Sequence, residues 1–105
     1  LWACFGVMGA DYQPVGHVHL LTNLVDYGMD PQEALDSPRV MAYPGDLLVE
    51  RGVAPAVREA LAAKGHRVVE AAEPLGGGQC ILVDHRRGVL VGGSDPRKDG
   101  LALGL

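Results

Sequence analysis

Gly6-Val7-Met8-Gly9-Ala10-Asp11-Tyr12-Gln13-Pro14-Val15-Gly16 lies between a short apolar run and a longer apolar pattern of helical period. It reads as a strand-to-helix corner. Its glycines permit backbone angles or close approaches that a β-carbon forbids, and successive amides at such a corner can converge on an anion or a developing oxyanion. A tight connection that needs glycine only for its turn gives the same pattern, so the stretch alone leaves both readings open.

Working outward, Leu1 to Val7 is a continuous apolar run of a length that suits a strand covered on both faces. After the corner, Val18, Leu20, Leu21, Leu24, Val25 and Tyr27 occupy most of the helical circumference, which predicts a buried helix over about Gly16 to Tyr27, with Gly28 as its stop. Asp30-Pro31-Gln32-Glu33 is a capping box with proline at the first helical position. The short helix it opens ends near Asp36, because Ser37 precedes Pro38 and is pushed out of the helical region. Arg39 to Tyr43 and Leu47 to Glu50 read as strands around Pro44-Gly45-Asp46, and Ala54 to Lys64 as an amphipathic helix ended by Gly65. His66 to Ala71 reads as a strand and Gly76-Gly77-Gly78 as a loop. Gln79 to Val83 and Val89 to Val91 form a hairpin around Asp84-His85-Arg86-Arg87-Gly88.

The 105 residues are few enough for one domain, and 48% are apolar, which suffices for a core built mostly from Val, Leu and Ala. A net charge of −4 without any basic stripe argues against a nucleic-acid partner. No apolar run approaches the ~18 residues of a membrane span, and no charged region precedes Leu1 to Met8 as a signal peptide requires. The start inside an apolar run suggests a piece of something longer. Any targeting signal then lies outside it, and both cytoplasmic and periplasmic or secreted locations stay open. Cys4 and Cys80 lack basic or metal-like neighbours and are expected as buried free thiols.

Chemistry-bearing residues are sparse. His17 and His19 fall at the start of a helix, where they diverge by about 200° and do not share a metal. His66 and His85 fit exposed positions. Gly76-Gly77-Gly78-Gln79 lacks the Lys-Ser or Lys-Thr of a phosphate loop, and a flexible turn or a glycine loop rimming a site are the two readings left. Thr22, Ser37 and Ser94 have no nucleophile-elbow context. Asp95-Pro96-Arg97 with Asp99-Gly100 reads as turn chemistry with an embedded ion pair.

The ordered set Gly6 to Asp11, Asn23 to Arg39, Val49-Glu50-Arg51-Gly52 and Gly93-Ser94-Asp95-Pro96-Arg97 resembles the C-terminal part of the small subunit of gamma-glutamyltranspeptidases. The likeness spans essentially the whole chain, and Met8-Gly9-x-Asp11 with Gln13-Pro14 is similar to the bacterial transpeptidase-like amidohydrolase branch. The resemblance implies an α+β fold, a segment of the four-layer αββα sandwich of N-terminal-nucleophile hydrolases, with antiparallel strands and about three helices. It implies a self-cleaving precursor whose freed threonine attacks a γ-glutamyl amide, and an acyl-enzyme resolved by water or an amine. The family's oxyanion donors, a Gly-Gly pair after a strand, match Gly9 and Ala10 here, and an alanine still carries the needed N–H. Asp11, where many transpeptidases have serine, is expected to orient the corner or to meet a cationic substrate group.

No cofactor or metal is implied. The expected partners are the rest of the small subunit, the large subunit of the same precursor and a small amide substrate. The threonine and the residues that grip the γ-glutamyl group have no match in the chain, so the isolated segment is expected to be inactive and to self-associate through apolar surface that its missing half would cover. The rival from another class is a non-catalytic assembly or binding module, in which the same corner is only structure.

Overall fold

The computed structural model describes residues 1–104. The chain divides into two compact units, one made of Leu1–Asp36 with the segment from Gly76 onward, the other of Ser37–Leu75.

The first unit is built on a sheet of β1 (Ala3–Met8), β5 (Gly77–Asp84) and β6 (Val89–Ser94) in the order β1-β5-β6. Both pairings are antiparallel, with Val7 opposite Gly78 and Cys80 opposite Gly93. Gly77 and Gly78 are therefore strand residues, and only Gly76 of the triplet remains a turn, with φ of +67°. Glycine persists in this strand because its neighbours leave no room: a β-carbon on Gly78 would fall 2.7 Å from a Leu35 methyl, and one on Gly93 2.8 Å from the Pro31 carbonyl carbon.

α1 (Gln13–Val25) follows the corner, and α2 (Pro31–Asp36) follows Gly28. The capping box forms as its sequence dictates: the Glu33 N–H donates to Asp30 Oδ1 at 2.8 Å, and the Asp30 N–H donates to Glu33 Oε2 at 3.0 Å. Gln32 then ties α2 to β6, its amide accepting from the Ser94 N–H and donating to the Ser94 carbonyl at 3.1 and 2.9 Å. The core of the unit is Val7, Tyr12, Leu20, Leu24, Ala34, Leu35 and Cys80.

Burial corrects two expectations. α1 is not buried all round: Leu20 and Leu24 face inward, while Val18 and Val25 remain 65% and 58% exposed, and Tyr27, beyond the helix end, is 71% exposed. β1 is not covered on both faces either, since only Val7 among its residues is buried and Met8 is exposed. Both elements carry more apolar surface than the described residues bury, so their patterns record a larger interior than this chain encloses. Cys4 is likewise exposed rather than buried. It lies opposite Ile81 while Cys80 lies opposite Phe5, so the two thiols point to opposite faces and both are free. Burial pushes the Cys80 thiol up from its ordinary value, with the proximity of Cys4 adding to the shift.

The second unit contains β2 (Val40–Tyr43), β3 (Asp46–Val49), α3 (Pro55–Ala63) and β4 (Val68–Glu70). β2 and β3 form the expected hairpin, with Gly45 at φ of +87° in its turn. β4, in contrast to the antiparallel expectation, runs parallel to β3, with Leu47 opposite Val68. α3 is the crossover that returns the chain to the starting end of β3, which is how neighbouring strands become parallel. Met41, Leu47 and Val49 are buried, whereas no residue of α3 is.

The base of this unit is closed by Glu50, whose carboxylate accepts from the Arg39 N–H at 2.9 Å and from the Leu75 N–H at 3.0 Å. The Arg39 guanidinium returns a bond to the Leu75 carbonyl at 2.8 Å. Gly52 packs on Pro38, where a β-carbon would fall 2.8 Å from the ring. At the other end, Arg58 and then Arg51 hold the Glu70 carboxyl below its ordinary range through bonds of 3.1 and 3.2 Å, an exposed cluster whose contribution to stability is small.

Ala54 is the N-cap of α3 and supplies no side-chain bond to it. Ala54→Ser is expected to raise stability by about 1 kcal/mol, because a hydroxyl there accepts from an orphan N–H of the first turn. Thermal unfolding checks it, and an unchanged or lower midpoint would contradict that boundary.

Candidate functional site

The corner between β1 and α1 is a short 3-10 turn, Ala10–Tyr12, entered through Gly9. Gly9 has φ of +137° and Ala10 φ of +49°, so two consecutive residues occupy backbone regions that L side chains rarely adopt. Ala10 is thus held in the left-handed region, at a cost of roughly 1–2 kcal/mol. The Tyr12 N–H donates to the Gly9 carbonyl at 2.9 Å and closes the turn. Among the described residues, neither the Gly9 nor the Ala10 N–H donates in the turn and loop hydrogen bonding. Ala10 and Asp11 are exposed, while Gly9 is half-buried.

Behind this exposed rim the corner is tightly packed. A β-carbon on Gly9 would fall 2.9 Å from the Gly76 Cα, and one on Gly76 2.5 Å from the Met8 carbonyl oxygen. The two segments meet backbone to backbone. Of the two readings of the Gly76 triplet, its first residue flanks the candidate site and its other two belong to the sheet.

His17 straps the corner from the helix side. Its Nε2 accepts from the Val7 N–H at 3.3 Å, so its Nδ1 carries the proton and donates to the Gln13 carbonyl at 2.6 Å. The ring also meets Phe5, with centroids 6.0 Å apart. His17 thus joins the end of β1 to the first residue of α1. Among the described residues no group of three or more His, Cys, Asp or Glu side chains is placed to hold a metal ion. His66 and His85 are exposed, as expected, and the His85 ring meets the Leu1 carbonyl.

The Ser94 to Gly100 tail supports the sheet from beneath. Asp95 is fully buried; its Oδ2 accepts from the Gly78 N–H at 2.8 Å, and its Oδ1 accepts from the Arg97 N–H at 3.0 Å and from Arg97 Nη1 at 3.2 Å. Arg97 Nη1 also donates to the Leu35 carbonyl at 2.8 Å. This is the embedded ion pair expected of the turn, placed two residues along β5 from Gly76.

Of the residues singled out from sequence, Gly9, Ala10 and Asp11 come together by adjacency. Tyr12 falls within the corner stretch with no role assigned from sequence, and Gly76 and His17 join it only through the fold. The signal that could have found them is the match between a wide ring and glycines at 16 and 76, which becomes visible only once β1 and β5 are paired.

The α+β arrangement is that of the N-terminal-nucleophile hydrolase fold, which solved acylase and gamma-glutamyltranspeptidase structures share with this chain. The cephalosporin acylase of Bacillus halodurans superposes on 92% of this chain with a TM-score of 0.88 and 39% identity, over 19% of its own length. The gamma-glutamyltranspeptidase family model matches residues 1–105, and the chain belongs to that family. It is 34% identical over 110 residues to the glutathione hydrolase-like proenzyme YwrD of Bacillus subtilis, covering 96% of this chain and 21% of that protein. It is 36% identical over 85 residues to the acylase ACY 1 proenzyme of a Pseudomonas species, covering 81% of this chain and 15% of that protein. The chain therefore spans about a fifth or less of the length of these relatives.

Proposed function

We propose that the chain is the C-terminal segment of a gamma-glutamyltranspeptidase-like amidohydrolase, in which Gly9 and Ala10 present backbone N–H groups to the oxyanion of a tetrahedral intermediate. The observation that carries this reading is the pair of consecutive positive-φ residues, exposed in front and locked behind by Gly76 and Tyr12. Strain of this kind persists only where the surrounding structure over-determines it, and it concentrates at sites that do chemistry.

In this reading the nucleophile is a threonine freed by cleavage of the precursor, outside the present chain. Its hydroxyl oxygen attacks the amide carbonyl carbon, the carbonyl oxygen takes the negative charge, and the amine leaves with a proton as the acyl-enzyme forms. Water or an acceptor amine then attacks the ester and restores the threonine. Donors aimed at the developing charge are worth about 10²–10³ in rate each, so a segment that provides only geometry can still control turnover. The relatives' names divide between glutathione hydrolase and acylase, and the chemistry they share is acyl transfer from an amide to water. The substrate class is accordingly a γ-glutamyl or related amide.

The remainder of the small subunit and the large subunit of the same precursor are the proposed partners. The exposed Val18 and Val25 on α1 and Met8 on β1 supply apolar surface for them, and the segment alone would self-associate through it. Asp11, exposed beside the donors, would meet the amino group of a cationic substrate.

The test is turnover of γ-glutamyl-p-nitroanilide by the processed full-length protein and by Leu1–Leu105 alone. Activity in the first and none in the second is expected. Inactivity of the full-length protein toward γ-glutamyl and simple acyl amides alike would favour a non-catalytic module and overturn the reading. Asp11→Asn is expected to raise KM several-fold for an amide bearing a free α-amino group and to leave KM for its deaminated analogue unchanged, since an exposed charge pair is worth about 0.2–1 kcal/mol and more once substrate excludes water.

A further inference from the structure

We propose that Tyr12 is the positioning residue of the Gly9–Ala10 corner: its ring, caged between Gly16 and Gly76, fixes the direction in which the two donor amides point. The proposal rests on the catalytic reading of that corner.

Three observations place Tyr12 in this role. It is buried, while Ala10 and Asp11, the residues preceding it in the same turn, are exposed. Its N–H holds the Gly9 carbonyl at 2.9 Å, which fixes one end of the peptide unit whose other end is the Ala10 N–H. Its ring is met by backbone of the adjoining helix and of the distant Gly76 segment. A β-carbon on Gly16 would fall 2.6 Å from its Cε1, and one on Gly76 2.6 Å from its Cδ1.

Those distances describe a ring whose Cδ1–Cε1 edge lies against main chain from two segments. Side chains could yield by changing rotamer, but main chain of a helix and of a sheet-edge turn yields little. Gly9 closes the cage from the third side, since a β-carbon there would fall 3.2 Å from the Tyr12 Cβ. Tyr12 thus touches the residue that enters the corner, the helix that leaves it and the segment that packs across it. Gly76 is far in sequence from Gly9 and Gly16, and the Tyr12 side chain is among the nearest atoms at all three positions.

The consequence concerns rate more than binding. A donor misplaced by about 1 Å costs on the order of 10²-fold in the chemical step. Ground-state contacts made elsewhere on the substrate are left as they were. A residue that only stabilised the fold would lower the amount of active protein without changing kcat per folded site.

The experiment uses the processed full-length protein, with kcat per titrated active site, KM, and amide hydrogen exchange over residues 8–13. Tyr12→Ala is expected to lower kcat by about 10²-fold with KM within about twofold, and to accelerate exchange over that stretch. Tyr12→Phe, which keeps the ring, is expected to recover most of the lost kcat and the slow exchange. Should Tyr12→Ala fail to fold, Gly16→Ala is read in its place: its methyl displaces the same ring, and the same loss of kcat and faster exchange are expected. Unchanged kcat with unchanged exchange in the variant that folds would overturn the proposal, as would a fall in kcat with exchange unmoved. If the parent protein turns over no amide, the catalytic reading fails, and the exchange comparison alone decides whether Tyr12 holds the corner.

Discussion

Gly9→Ala is expected to reduce kcat of the assembled protein by at least about 10²-fold and to destabilise the segment by roughly 2–4 kcal/mol. Two independent costs add at this one position. The backbone angle, φ of +137°, lies where an L residue is strained whatever space surrounds it. The added methyl also has nowhere to go, because it would sit 2.9 Å from the Gly76 Cα, and main chain cannot swing aside as a flexible side chain would. Relieving either cost rotates the peptide unit that carries the Ala10 N–H. The converse variant, Ala10→Gly, supplies the discriminating control: it removes the left-handed strain at φ of +49° and is expected to raise stability by about 1 kcal/mol without loss of kcat. Active-site-titrated kinetics and thermal unfolding measure both. Wild-type kcat in folded Gly9→Ala would show that the corner does not hold the oxyanion.

The sequence carried the local logic of this chain well, because that logic is written in short-range chemistry. The capping box at Asp30 to Glu33 forms with both reciprocal bonds, and α2 ends at Asp36 ahead of Pro38 as the backbone rules require. Pairing direction was less legible. β4 is parallel to β3, yet nothing in Val68–Glu70 distinguishes a parallel from an antiparallel neighbour; the information lies in the intervening helix.

The division at Ser37 and Leu75 was hidden for a related reason. No glycine- or serine-rich linker marks it, and its base is tied by Glu50, a residue in the middle of the inserted stretch, to Arg39 and Leu75. The motifs that suggested the family in sequence turn out to be tie points of this kind. Pro38 meets Gly52, Asp95 meets Gly78, and Gln32 meets Ser94. The positions proposed as donors, Gly9 and Ala10, are suggested by the glycine and by the family resemblance. The packing behind them is not, since a ring and two glycines separated by up to 64 positions are neighbours only in three dimensions.

Asp95→Asn is expected to cost about 3–5 kcal/mol, a large share of the 5–15 kcal/mol that holds a domain of ordinary stability together. The carboxylate is fully buried, and its two oxygens take on different tasks: Oδ2 anchors the Gly78 N–H at 2.8 Å, and Oδ1 meets the Arg97 backbone and guanidinium at 3.0 and 3.2 Å. An amide of the same size keeps one acceptor and presents two donors where donors already converge. The mostly buried Arg97 guanidinium then loses the Asp95 carboxylate as a partner, and removing one side of a buried ion pair costs more than the intact pair contributes. The effect should extend to the corner, because Gly78 is paired with Val7 and lies two residues from Gly76. Denaturant unfolding of the single variants and of Asp95→Asn with Arg97→Gln provides the check. The double variant is expected to be less destabilised than the sum of the singles by 1 kcal/mol or more, as roughly 0.5–3 kcal/mol of coupling is usual for residues in contact. Simple additivity would mean that the carboxylate acts through the Gly78 and Arg97 backbone N–H groups and not through the guanidinium.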